Sequence, residues 1–302
     1  MIHRSYIESP FDGLRISLMA VVPDIRPKAV LFIIHGICGK KERFLPFMKH
    51  MTEKGYACVA HDHRGHGESL IEENDRGYSY KGRSDAIIQD MTAVAVWIKR
   101  HFPDIPVYML GHSMGSLAAR AFVREDDRGL DGLILCGSPS YNPMSKIGLA
   151  MVRIIGLFKD GRIRSPLFQN IMEKKYNKRF EKEGEKAWTC SDHEVLKAVK
   201  ADPECNFDLT ADYSAALMEL MSRTYSTRGW RSSNNMLPIL FLAGEDDPCI
   251  ISRKKFLKAV DSMRAAGYAD VSYRLFPKMR HEVLNEVGKE KVWEEIAGFI
   301  RV

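Results

Sequence analysis

Nowhere does the chain carry eighteen consecutive uncharged apolar residues, and its opening stretch MIHRSYIESPFDGLRISLMAVVP has no apolar core after Arg4. Neither a transmembrane helix nor a secretory leader is expected, and the reading is a cytoplasmic protein. Glycine, proline and serine never gather into a tract of linker length, so disorder is not expected. The six cysteines, at 38, 58, 136, 190, 205 and 249, lie far apart and form no CxxC pair. That spacing argues against a zinc ribbon and a compact disulfide scaffold, and for reduced thiols. No internal repeat is visible. A net charge of +6 over 302 residues falls well short of a dedicated nucleic-acid binder, so no such partner is expected.

What is present is the composition of a folded protein, 45% hydrophobic and 28% charged, at a length that suits one large core with a modest insertion. Short apolar runs recur: AVLFIIHG (29–36), YACVAHD (56–62), VYMLG (107–111), LDGLILCG (130–137), LPILFLAGEDD (237–247) and VSYRLFP (271–277). They are continuous rather than alternating, as strands covered on both faces are. Segments of helical period separate them, which predicts an α/β fold with a mostly parallel sheet. The beginning differs: SYIESPFDGLRISLMAVVP reads as two alternating runs turning at Asp12-Gly13, so the sheet should open with antiparallel strands.

From about 141 to 235 the strand–helix alternation stops, and the residues there look helical, Met-containing and charged. The expected division is a core of 1–140 with 236–302, interrupted by a helical cap of 141–235. Ile147, Met151, Ile154, Ile155 and Phe158 share one helical face, a stripe suited to packing over a pocket and to transient membrane-surface contact. Between Lys146 and Lys182 ten Lys or Arg face three Asp or Glu. A solvated helix face is the simpler reading; a surface for anionic or interfacial substrates is the other.

In open α/β sheets ligands bind at the carboxyl ends of strands. Ser113 follows VYMLG directly and precedes a helical segment, the strand, turn, helix setting of a GxSxG nucleophile elbow, with Gly111 and Gly115 keeping the turn free of side chains. A serine nucleophile needs a base and an orienting acid, here in the order Ser, acid, His. Only His193 and His281 follow Ser113, and His281 alone comes just after the last predicted strand. The run PILFLAG ends in Glu245, Asp246 and Asp247; Asp247 is preferred as the acid and Asp246 is the rival. The oxyanion hole requires two backbone amides, assigned to Met114 and Ile37.

Together HGICGKKERF, HDHRGHGES, YMLGHSMGS, LAGEDDP and RHEVLNE resemble the α/β-hydrolase superfamily, in its monoacylglycerol lipase-like, lysophospholipase-like or serine aminopeptidase-like branch. The resemblance implies Ser113 as nucleophile, His281 as base, Asp247 as acid, Ile37 and Met114 as oxyanion hole, no cofactor, and a variable cap over the site. His61, His63 and His66 then belong to a structural loop braced by Asp62 and Arg64 rather than to a metal site, and Cys38 and Cys249 are packing residues. The expected reaction is hydrolysis of an acyl ester or lipid, a monoacylglycerol or lysophospholipid first. A small-molecule carboxylesterase, a peptidase holding an α-amine on Glu181, Glu183, Glu185 or Asp192, and a non-catalytic binding module are the alternatives. Oligomeric state, acyl length and head group are not legible.

Overall fold

β1 (Ile2–Glu8) and β2 (Arg15–Val21) form an antiparallel pair, with Gly13 at φ 76° and the Asp12 carboxylate accepting from the Leu14 amide in the turn between them. The computed structural model describes residues 1–143, 148–150, 161–164, 166–226 and 228–301. β3 (Val30–Ile34), α1 (Leu45–Glu53), β4 (Ala57–His61), α2 (Arg83–His101), β5 (Val107–His112), α3 (Met114–Glu125) and β6 (Gly132–Cys136) follow as alternating strands and helices. After them come α4 (Pro166–Asn177), α5 (His193–Ala201) and α6 (Ala211–Tyr225), then β7 (Ile239–Gly244), α7 (Arg253–Ala265), β8 (Val271–Phe276) and α8 (Glu290–Phe299).

The eight strands make one sheet in the order β1-β2-β4-β3-β5-β6-β7-β8, parallel from β4 to β8 and antiparallel where β2 meets β1 and β4. Alternating residues feed two cores: Val30, Phe32 and Ile34 of β3 enter the layer under α2, α3 and α7, while Leu31 and Ile33 enter the one under α1 and α8. β2 reads as half-polar in sequence, yet all of it after Arg15 is buried, because helices cover both of its faces. β8 departs the other way. Ser272, Tyr273 and Arg274 are exposed, since an edge strand has a neighbour on one side only.

Strand order reverses between β3 and β5: the chain runs from β3 outward to β4, and from β5 in the opposite direction to β8. The crevice at such a switch point lies beyond the carboxyl ends of those two strands. Residues 35–37 leave β3 there, and Ser113 leaves β5.

Between β6 and β7, Tyr213, Ala216 and Leu220 of α6 lie in the same core cluster as side chains of α2 and α3. Phe180, Ala187, Cys190 and Leu196 form a small cluster of their own. The apolar stripe of Ile147, Met151, Ile154, Ile155 and Phe158 lies outside the described residues. Several described cations of the basic stretch are already engaged: Arg162 pairs with Asp75, Arg179 with Asp246, and Arg164 donates to the Asn74 and Arg76 carbonyls. Among the described residues no helix is long and apolar enough to cross a membrane.

Candidate active site

Ser113 sits at φ 54°, ψ −121°, a conformation that costs a side-chain-bearing residue energy and is held here by packing on every side. Its amide donates to the Cys136 carbonyl at 2.9 Å, and its carbonyl accepts from the Ser116 amide at 2.9 Å. The turn tolerates no flanking side chains: a Cβ on Gly115 would lie 2.2 Å from the Ile34 carbonyl oxygen, and one on Gly111 2.4 Å from that of Gly115. The result points the Ser113 hydroxyl out of the sheet at the switch point.

The loop after β8 brings His281 to it. The Ser113 hydroxyl donates to His281 Nε2 at 2.8 Å, and His281 Nδ1 donates to Asp247 Oδ2 at 3.0 Å. Asp247 follows β7, is buried, and uses its other oxygen to accept the Cys249 amide at 2.8 Å. Burial alone disfavours an imidazolium, but the Asp247 carboxylate more than offsets it and holds His281 well above the ordinary histidine range. The neighbouring Asp246 instead faces outward to Arg179 at 2.7 Å. His193 begins α5.

Opposite Ser113, residues 35–39 form the rim. A Cβ on Gly36 would stand 2.9 Å from the Ser113 Cβ, so this loop lies directly against the serine. Among the described residues neither the Ile37 nor the Met114 amide has a hydrogen-bond partner. Both are thus free to donate to a negatively charged oxygen, and Met114 is also the first residue of α3, where the helix dipole favours negative charge.

The histidines of the HDHRGHGES stretch hold that rim. His35 Nε2 accepts the His63 amide at 2.9 Å, His63 Nε2 contacts the His35 carbonyl at 3.1 Å, and His66 Nε2 accepts the Cys38 amide at 3.2 Å. Asp62 does not pair with Arg64. Asp62 takes the buried Lys41 ammonium at 2.6 Å, while Arg64 takes Asp90 and Asp12. Cys38 is half-buried, and desolvation pushes its thiol up to about 12, which disfavours the reactive thiolate.

Beyond Ser113 opens a cavity of about 280 Å³ whose far wall includes Met172, Leu209, Leu217, Met218 and Met221. Trp188 closes one side, its ring 5.2 Å from that of His281. Arg43 and Glu282 pair at another, and that cation, outweighing burial, holds the Glu282 carboxyl down to about 2. These wall residues carry no motif. Sequence reasoning missed them, although the Leu217, Met218 and Met221 spacing on one helix was a usable signal. Cys249, expected from the sequence to be a packing residue, has its thiol against the His281 ring and the Tyr176 hydroxyl.

A family model described as serine aminopeptidase, S33 (Hydrolase_4) matches residues 25–288. A monoacylglycerol lipase of Mycolicibacterium smegmatis is 24% identical over 292 residues, covering 95% of this chain and 93% of the relative. Among solved structures, a thermostable carboxyl esterase from Bacillus coagulans superposes with a TM-score of 0.89 at 22% identity, over 99% of each chain. A soluble variant of monoglyceride lipase from Saccharomyces cerevisiae superposes with a TM-score of 0.73 at 18% identity, over 98% of this chain and 93% of that one.

Proposed function

Since the chain belongs to the serine aminopeptidase S33 (Hydrolase_4) family, with an α/β-hydrolase fold, we propose that Ser113, His281 and Asp247 are the catalytic triad of an esterase acting on monoacylglycerol-like substrates. The observation that carries this is the row of hydrogen bonds from Ser113 Oγ to His281 Nε2 at 2.8 Å and from His281 Nδ1 to Asp247 at 3.0 Å, at the mouth of a mainly apolar cavity.

In this reading Ser113 Oγ attacks the ester carbonyl as its proton passes to His281 Nε2, and Asp247 stabilises the imidazolium. The oxyanion is held by the Ile37 and Met114 amides, an arrangement in which each donor is worth about 2.7–4 kcal/mol in the transition state. Collapse expels the alcohol, which takes the proton from His281. Water, deprotonated by His281 in turn, then releases the fatty acid from Ser113. The methionine and leucine wall accommodates the acyl chain, and the segment 141–235 forms the cap above it. A single-chain glyceride is favoured over a lysophospholipid because Arg162, Arg164 and Arg179 of the basic stretch engage protein partners.

The carboxylates considered for the peptidase alternative, Glu181, Glu183, Glu185 and Asp192, do not line the cavity, whereas Glu173 does, and Asp192 caps α5. Turnover of monoacylglycerol, lysophospholipid, short p-nitrophenyl ester and aminoacyl anilide by the purified protein tests the reading. Monoacylglycerol should lead, and a fluorophosphonate should label Ser113 and not Ser113→Ala. Preference for the anilide would overturn the substrate, and an unlabelled wild type the mechanism.

A further inference from the structure

Cys249 has no part in ester hydrolysis, yet it stands against the two groups that prepare the nucleophile. One donor atom from each of Asp247, Cys249 and His281 lies within 4.8 Å of the others, and all three residues are buried. Carboxylate, thiol and imidazole together form the mixed hard and soft donor set that suits zinc and disfavours magnesium or calcium. Around a tetrahedral zinc ion, with bonds of about 2.0–2.3 Å, donors stand about 3.3–3.8 Å apart. The Asp247 and His281 atoms, at 3.0 Å, are already close enough, and the Cys249 donor lies within 4.8 Å of both. Cys249 and His281 also line the cavity, which provides an entry path.

We propose that Asp247, Cys249 and His281 form an inhibitory site for zinc and similar thiophilic divalent cations. Zinc takes the Asp247 side of the ring, at Nδ1, so the ring proton resides on Nε2. That nitrogen then faces Ser113 as a donor and cannot accept its proton. The Cys249 thiol proton is released to solvent, making binding weaker as pH falls. The inhibition rests on the esterase reading above; the coordination does not.

Two arms separate these. Zinc added to chelator-treated full-length protein should inhibit ester turnover reversibly, while magnesium at the same concentration does not. Cobalt added to the same protein should give the near-ultraviolet thiolate-to-metal absorption whether or not any ester is hydrolysed. Cys249→Ser should abolish that absorption and raise the zinc concentration for half-inhibition, relative to the variant's own activity, at least tenfold. Mapping alkylation by mass spectrometry needs no variant: zinc should slow modification of Cys249 selectively. Absence of the cobalt band, its persistence in Cys249→Ser, or zinc protection at other cysteines only would overturn the site. A band without any esterase activity would instead overturn the proposed function and leave the site standing.

Discussion

Arg280, the residue before the candidate base, reaches into the segment between β6 and β7, where its guanidinium meets the Glu183 carboxylate at 2.6 Å. It also donates to the carbonyls of Ala187 at 2.7 Å and Cys190 at 3.2 Å, and lies 4.1 Å from the centre of the Phe180 ring. On the far side of His281, the Glu282 amide donates to the Thr189 carbonyl at 2.7 Å, and Glu286 accepts the Ser191 amide at 3.0 Å. The loop holding His281 is thus bolted to residues 183–191, from which Trp188 enters the cavity.

Arg280 is therefore expected to position His281. Arg280→Met leaves two buried carbonyls without a donor, a loss of about 2–3 kcal/mol; the half-exposed Glu183 regains water and adds little. We expect a lower Tm, kcat reduced about tenfold or more, and slower fluorophosphonate labelling of Ser113, with partial recovery in Arg280→Lys. A fall in Tm with unchanged kcat would reduce Arg280 to a purely structural role.

The acid is tested by adjacent substitutions. Asp247→Asn removes the charge that fixes the His281 tautomer, and activity should fall by about 10⁴-fold. Asp246→Asn removes a partly exposed pair with Arg179 and should leave activity and stability nearly unchanged. The reverse ranking, measured as kcat/KM on a p-nitrophenyl ester, would transfer the role to Asp246.

Because His281 must be neutral to accept the serine proton, its raised pKa places the acid limb of the kcat/KM profile above the ordinary histidine value of about 6.5. Removing the Asp247 charge should move the limb of the residual activity to lower pH. A wild-type limb below that of a free histidine would contradict the ion pair.

Stability should respond to pH through other histidines. Burial, reinforced by neighbouring charge, holds His35, His61 and His63 well below the ordinary range, and burial lowers His66 to about 4. The unfolded chain therefore binds more protons than the native one below pH of about 6.5. The stability these four residues support is complete above that value and is lost as pH falls toward their folded pKa values. His281, raised, works in the opposite sense, losing its contribution as pH rises through its folded pKa. Urea midpoints should drop between pH 7.5 and 5, and His61→Phe should flatten the slope, because neither ring nitrogen of His61 has a partner among the described residues.

Much of this molecule follows from local rules. Continuous apolar runs separated by helical periods are enough to specify a covered parallel sheet, and the Asp12-Gly13 turn an antiparallel start, because both signals act within a few residues. Chain order points to Ser113, to an acid within 245–247 and to His281, since each follows a strand. β2 and β8 were less legible: whether a strand is covered on two faces or left at an edge depends on partners far along the chain.

The surroundings of the candidate site belong wholly to tertiary structure. That Asp247 rather than Asp246 meets the imidazole depends on which way two adjacent side chains leave β7. That Lys41, not Arg64, takes Asp62 depends on where the loop after β4 meets segments far along the chain. The clamp from Arg280 to residues 183–191 and the methionine wall of α6 join segments that no short-range pattern connects. Sequence alone determined the sheet and the ordered placement of three side chains at strand ends, where backbone propensity and hydrophobic period act locally; long-range packing decided their orientation, the cavity they face and the thiol beside them.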